Sequence, residues 1–164
     1  MNKKILIIFV ITLFLDQLTK SLVQAFIKLE YSLEIIKNFF SLTYVNNYGA
    51  AWSILSNKNT FLIIISIVSL VVIYRFMYVF NKNKRNNVAF GLLFGGISGN
   101  LIDRALLGYV RDFLDFKIFN YNYPIFNIAD VCIVIGVFLL IICMIRGYDK
   151  DGSNSRDRRK SKTR

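Results

Sequence analysis

The sequence predicts an all-α membrane protein with four transmembrane helices and both chain ends on the cytoplasmic side. Three observations carry this. More than half of the residues are apolar, at 55%, which is greasier than an ordinary soluble domain. Those residues fall into four blocks, each near the length that spans a bilayer. The cations lie between and beyond the blocks: Lys3 and Lys4 before the first, Lys82, Lys84 and Arg85 between the second and third, and Arg146, Lys150, Arg156, Arg158, Arg159, Lys160, Lys162 and Arg164 after the fourth. Lysine and arginine favour cytoplasmic segments, which fixes the orientation. The same placement accounts for the net charge of +11, and no nucleic-acid fold accompanies it.

The first helix is expected at residues 5–27. Its basic start and apolar middle look like a secretory signal peptide. However, the run continues through Leu18, Leu22, Val23 and Phe26, with no small-x-small cleavage site behind it. Asp16 lies within it, about 18 Å beyond Lys4. Its plainest role is an ion pair with Lys20 four residues on, although Lys20 can also snorkel to the outer surface.

An outer segment follows at 28–59. Apolar and small polar residues alternate over 40–45, which suggests short β-structure. Asn46-Asn47-Tyr48-Gly49 is a turn signal, and 50–55 reads as a short helix. Trp52, Tyr44 and Tyr48 suit a membrane interface.

The second helix is expected at 60–80, with Arg75 near its cytoplasmic end. The third is expected at 88–107, where Gly91, Gly95, Gly96 and Gly99 allow another helix to approach closely. An unusually aromatic outer loop, 108–124, leads to the fourth helix at 125–145. Residues 1–148 then form one membrane-embedded domain. Residues 149–164 form a disordered basic cytoplasmic tail, suited to anionic lipid head groups.

The chemistry is narrowed by what is missing. There is no histidine, which excludes Ser-His-Asp triads, Cys-His dyads and histidine-bound zinc. Cys132 and Cys143 share one predicted helix, about 16 Å apart in rise. That is too far to bond each other, and they read as small buried hydrophobes.

What remains is acid. Counted from the cytoplasmic helix ends, Asp16 and Asn100 lie about 18 Å deep, and Asp103 and Asp130 about 22 Å. Asn100, Asp103 and Arg104 share one helix face, as do Asn127 and Asp130, and charges at such depth face the bundle interior. Asp112, between apolar Val110 and Phe113, can fold back to the same mouth. Two carboxylates at one dry site share a proton, and so supply a base and an acid together. Asp112 and Asp130 are the candidate pair. On residues alone a proton or cation pathway explains these acids equally well. An anchoring ion pair accounts for Asp103 and Arg104, and ordinary turn chemistry for Asn46 and Asn47.

Five motifs go further: Asp16-Gln17-Leu18-Thr19-Lys20, Asn47-Tyr48-Gly49-Ala50-Ala51-Trp52, Gly99-Asn100-Leu101-Ile102-Asp103-Arg104, Val110-Arg111-Asp112-Phe113 and Phe126-Asn127-Ile128-Ala129-Asp130. In this order and spacing they resemble bacterial lipoprotein signal peptidase (signal peptidase II) over residues 5–146. The resemblance implies an intramembrane aspartic endopeptidase of the bacterial cytoplasmic (inner) membrane, active near the outer face. It implies no cofactor and no metal. It also implies cleavage of prolipoproteins just before their diacylglyceryl-modified cysteine, and inhibition by globomycin. Its surroundings would be membrane lipids, and nucleic acid would not be a partner.

Asp112 and Asp130 match the family's catalytic pair. Asn47, Asn100, Arg104 and Asn127 match the polar residues around substrate and pair, with Arg104 suited to a polar end of substrate or inhibitor. Asp16 and Asp103 match supporting acids, and residues 31–55 match a small extracytoplasmic β-cradle and interfacial helix. Three positions depart from the pattern. Arg111 stands where an apolar residue is more usual, and beside Asp112 it would lower that carboxyl's pKa. Trp52 replaces a phenylalanine and Cys132 a small hydroxyl residue.

Overall fold

A computed structural model describes residues 2–49, 55, 58–80, 84–119 and 121–145. The elements run α1 (Lys3–Phe26), β1 (Ser32–Ile36), β2 (Phe40–Asn47), α2 (Asn59–Phe76), α3 (Lys84–Leu107), β3 (Val110–Ile118), β4 (Tyr121–Asn122) and α4 (Ile128–Ile145). The short helix expected at 50–55 covers residues of which only Leu55 is described. The tail expected at 149–164 lies outside the described residues.

Helix α3 is the centre of the bundle, with α1 and α4 packed closely on it and α2 more loosely. Its small residues are the reason. A Cβ at Gly95 would sit 2.5 Å from Thr12 of α1, and one at Gly96 would sit 2.5 Å from the Ala129 carbonyl oxygen of α4. Only glycine lets both neighbours approach the α3 backbone at once. On α1 the buried residues Ile5, Thr12, Asp16, Lys20 and Val23 form one stripe at helical spacing. Leu6, Val10, Phe14, Leu18 and Leu22 on its other side are exposed, as lipid-facing residues would be.

Among the described residues, α1, α2 and α4 are long and apolar enough to cross a membrane. Helix α3 matches α1 at 24 residues, but carries Asn100, Asp103 and Arg104. Asn100 and Asp103 are buried, and Arg104 donates to the Gly49 carbonyl.

The small sheet is antiparallel, in the order β1-β2-β3-β4. It contains the short β-structure expected over 40–45, within β2, and it corrects one reading: the expected loop at 108–124 contains strands β3 and β4. Strand β3 pairs with β2 in a register that sets Val45 opposite Asp112, Asn46 opposite Arg111 and Asn47 opposite Val110. Val23, Tyr44 and Phe113 make a buried cluster that fastens the sheet to α1.

Helix α4 starts at Ile128, three residues later than the sequence suggests. The reason is a backbone bridge: Phe126 exchanges hydrogen bonds with Leu114, at 2.8 and 3.1 Å. That bridge holds residue 126 extended against β3, and the helix begins behind it.

Candidate active site

The site is built around the N-terminus of α4. Asn127 precedes the helix, and its Oδ1 accepts from the Asp130 backbone N–H at 3.0 Å. Asp130 Oδ2 accepts from the Asn127 N–H at 3.2 Å. This reciprocal capping box satisfies two otherwise orphaned donors. Asp16 reaches across from α1 and accepts from the Ala129 N–H at 2.9 Å. Acids thus converge on the partly positive end of the helix, which explains part of the Asn127–Asp130 spacing.

Asn127 is also the link to β3. Its Nδ2 donates to Asp112 Oδ1 at 2.6 Å and to Asn100 Oδ1 at 3.1 Å. Asn100 Nδ2 donates to Asp130 Oδ1 at 2.7 Å, and Asn47 Nδ2 donates to Asp112 Oδ2 at 2.8 Å. Each of the two carboxylates therefore receives two N–H donors. Both line one cavity of about 700 Å³ together with Asn47, Asn100 and Arg104. The rest of its wall is mostly apolar, from Phe116 and Ile118 of β3 to Val131, Val134 and Ile135 of α4.

Asp112 is 2% exposed. Burial, followed by repulsion from Asp130, pushes its carboxyl up to about 7, against the opposing hydrogen bonds from Asn47 and Asn127. The expectation that Arg111 lowers it is overturned. Successive strand residues leave opposite faces, and Arg111 turns away from the cavity. Its Nη2 lies 2.8 Å from Asp103 Oδ1 and its Nε donates to Asp103 Oδ2 at 3.2 Å.

Arg104 stands at the cavity and donates from Nη2 to the Gly49 carbonyl at 3.0 Å. Its own carbonyl accepts from Asn59 Nδ2 at 3.0 Å.

Behind the cavity lies a second polar cluster. Lys20 is fully buried, 2.8 Å from Asp16 and 3.5 Å from Asp103, and donates to Asn100 Oδ1 at 2.9 Å. It does not snorkel. An amine with two carboxylates and an amide within reach has no reason to leave them. Gln17 joins the same cluster, donating to Asp103 Oδ1 at 3.2 Å and accepting from Arg111 Nη2 at 2.9 Å.

All eight residues singled out from the sequence thus fall in two adjoining clusters. Asn47, Asn100, Arg104, Asp112 and Asp130 line the cavity, Asn127 is buried beside it and bonds both Asp112 and Asp130, and Asp16 and Asp103 stand behind it. The Asp16–Lys20 ion pair expected from helical spacing is present at 2.8 Å, whereas Gln17 and Arg111 were missed as members. Cys132 and Cys143 are both free.

Outward-facing apolar helices, a small antiparallel sheet and a polar-floored cavity between them define a multi-pass membrane enzyme. A family model described as Signal peptidase (SPase) II matches residues 8–146. A lipoprotein signal peptidase of Staphylococcus aureus is 44% identical over 157 residues, covering 93% of this chain and 92% of that protein. The counterpart from Staphylococcus aureus strain MRSA252 is 43% identical with the same coverage.

Two solved structures, each of a bacterial membrane enzyme determined by the in meso method, share the fold. The 2.3 Å structure gives a TM-score of 0.78 at 44% identity, covering 92% of this chain and 90% of its own. The 1.9 Å structure gives 0.76 at 43%, covering 85% and 91%. The chain belongs to the signal peptidase II family.

Proposed function

We propose that this chain is an aspartic endopeptidase that removes signal peptides from bacterial prolipoproteins, cutting just before the diacylglyceryl-modified cysteine. The supporting observation is that Asp112 and Asp130 line one cavity and both bond Asn127. Such a pair holds one proton between two carboxyls. The ionised member takes a proton from water, and the water oxygen attacks the scissile carbonyl carbon. The protonated member gives its proton to the carbonyl oxygen. As the C–N bond breaks, the first carboxyl passes its new proton to the leaving amine of the modified cysteine. The second recovers a proton from the tetrahedral hydroxyl, and the pair returns to its starting state.

The supporting roles follow from chemistry. Asn47, Asn100 and Asn127 orient the two carboxyls. Arg104 meets a polar end of the substrate or of globomycin. Asp16 and Asp103 hold the cluster behind them. The apolar wall suits an extended signal peptide and lipid chains. All four helices cross the cytoplasmic membrane with both ends inside, residues 1–148 forming one domain. Arg75 and Arg85 at one end of the bundle support that orientation, with the sheet and cavity near the outer face.

The test is incubation of the purified full-length chain with a diacylglyceryl-modified prolipoprotein, with and without globomycin. A shift to the mature size that globomycin blocks is the expected result. Lipoprotein bound but recovered uncut would mean a binding module and overturn the proposal.

A further inference from the structure

We propose that Arg111 is a positioning residue for the reaction, because its clamp on Asp103 fixes the direction in which Asp112 leaves strand β3. This rests on the reading of Asp112 and Asp130 as the catalytic pair.

Three donors of Arg111 converge on one carboxylate. The backbone N–H reaches Asp103 Oδ2 at 3.1 Å, Nε reaches the same oxygen at 3.2 Å, and Nη2 reaches Oδ1 at 2.8 Å. A planar fork on a carboxylate fixes orientation as well as distance, and the backbone bond carries that orientation into the strand. Helix α1 holds the guanidinium from the other side. Gln17 Oε1 accepts from Nη2 at 2.9 Å and Gln24 Oε1 from Nη1 at 3.1 Å.

The peptide between Arg111 and Asp112 is held at its far end too. The Arg111 carbonyl accepts from Asn127 Nδ2 at 3.4 Å, the same nitrogen that holds Asp112 Oδ1 at 2.6 Å. With β3 locked on one face, Asp112 has one direction available on the other, toward Asp130. The clamp takes no part in the cavity wall, so it acts on the alignment of the pair and not on substrate contact.

Arg111→Lys is the informative variant. It keeps a cation beside Asp103 and removes the fork. The charged groups around Asp112 are Asp130 from α4, Arg104 from α3 and Lys20 from α1, with neutral Asn47 and Asn127. All are unchanged by the substitution.

With a diacylglyceryl-modified prolipoprotein as substrate, the expected result is a fall in kcat of about tenfold or more at unchanged KM, since small misalignments are expensive at reacting groups. The alkaline limb of the rate moves to lower pH, because an Asp112 carboxyl set further from Asp130 gives up its proton more readily. A parental kcat and limb would overturn the proposal. So would a fall in kcat with an unmoved limb, since that reports lost folded protein and not misalignment.

Arg111→Met should fold less well and fall further in kcat. If it does not fold, the lysine variant decides alone. Asp112→Asn and Asp130→Asn serve as controls. Activity in either sinks the catalytic pair itself, whereas two dead controls beside a normal Arg111→Lys sink only the clamp.

Discussion

Two groups of acids meet at Asn100, and they are balanced in opposite ways. Behind the cavity, Asp16 and Asp103 are matched by Lys20 and Arg111, at 2.8 to 3.5 Å. At the cavity, Asp112 and Asp130 face each other's charge with amide donors from Asn47, Asn100 and Asn127, while Arg104 is engaged by the Gly49 carbonyl. A carboxylate out of water is tolerable beside a cation. At the cavity, burial and the charge of Asp130 push the Asp112 carboxyl up to about 7, against the amide bonds. The first arrangement holds structure and the second, on our reading, keeps chemistry poised.

The comparison is broken most sharply at the cavity. Asp112→Asn and Asp130→Asn should each lower prolipoprotein cleavage by about a thousandfold or more, the upper range for a positioned acid–base group. Their unfolding midpoints should stay close to the parent's, because asparagine keeps the shape of the side chain and an acceptor oxygen for the amide donors at each position. Near-normal turnover in either variant, read as the size shift of a lipidated preprotein, would end the assignment.

Asp103→Ala tests the opposite side. It leaves the Arg111 guanidinium buried without its carboxylate and takes one of two carboxylates from Lys20. Removing one member of a buried pair destabilises by about 3–5 kcal/mol. Denaturant unfolding in micelles should show a lower midpoint than for either cavity variant. A parental midpoint would mean that the rear cluster does not hold the bundle. A smaller effect is expected at Gly95→Ala, where the new methyl group meets Thr12. Overpacking of this kind costs about 1–3 kcal/mol, and helix separation should reduce cleavage only in proportion to lost folded protein.

The helices were legible in the sequence because bilayer thickness fixes a length and apolar runs declare it. The gathering of the acids was legible because depth along a helix can be counted. Strand β3 was hidden. Its alternation is broken by Asp112 on one face and Phe113 on the other, since each face is covered by something different. One borders the cavity, and the other packs on α1 through Val23. A period of two cannot announce a strand whose faces carry different chemistry. The outward snorkelling offered for Lys20 fails for a related reason. Its nearest acid, Asp16, is visible four residues away, but Asp103 and Asn100 come from another helix, and only their approach makes burial better than snorkelling. Arg111 looked like a neighbour of Asp112 because sequence adjacency hides opposite faces.

The finest test of the cavity is its pH dependence. Asp112 is pushed up to about 7, so its carboxyl carries a proton below that pH and loses it above, and on the proposed reading that proton is the acid of the pair. Cleavage should therefore fall as pH rises through about 7. Asn47 Nδ2–H donates to Asp112 Oδ2 at 2.8 Å, a bond that favours the ionised form. Asn47→Ala removes that donor, so the carboxyl holds its proton to higher alkalinity. A hydrogen bond to a charged group contributes about 1.5–3 kcal/mol, and about 1.4 kcal/mol equals one pH unit. The alkaline limb should thus move up by about one pH unit, with the rate below it reduced far less than in Asp112→Asn. A limb that stays in place, or moves down, would mean that it reports some other group, and that the amide donors do not set the proton affinity of the pair.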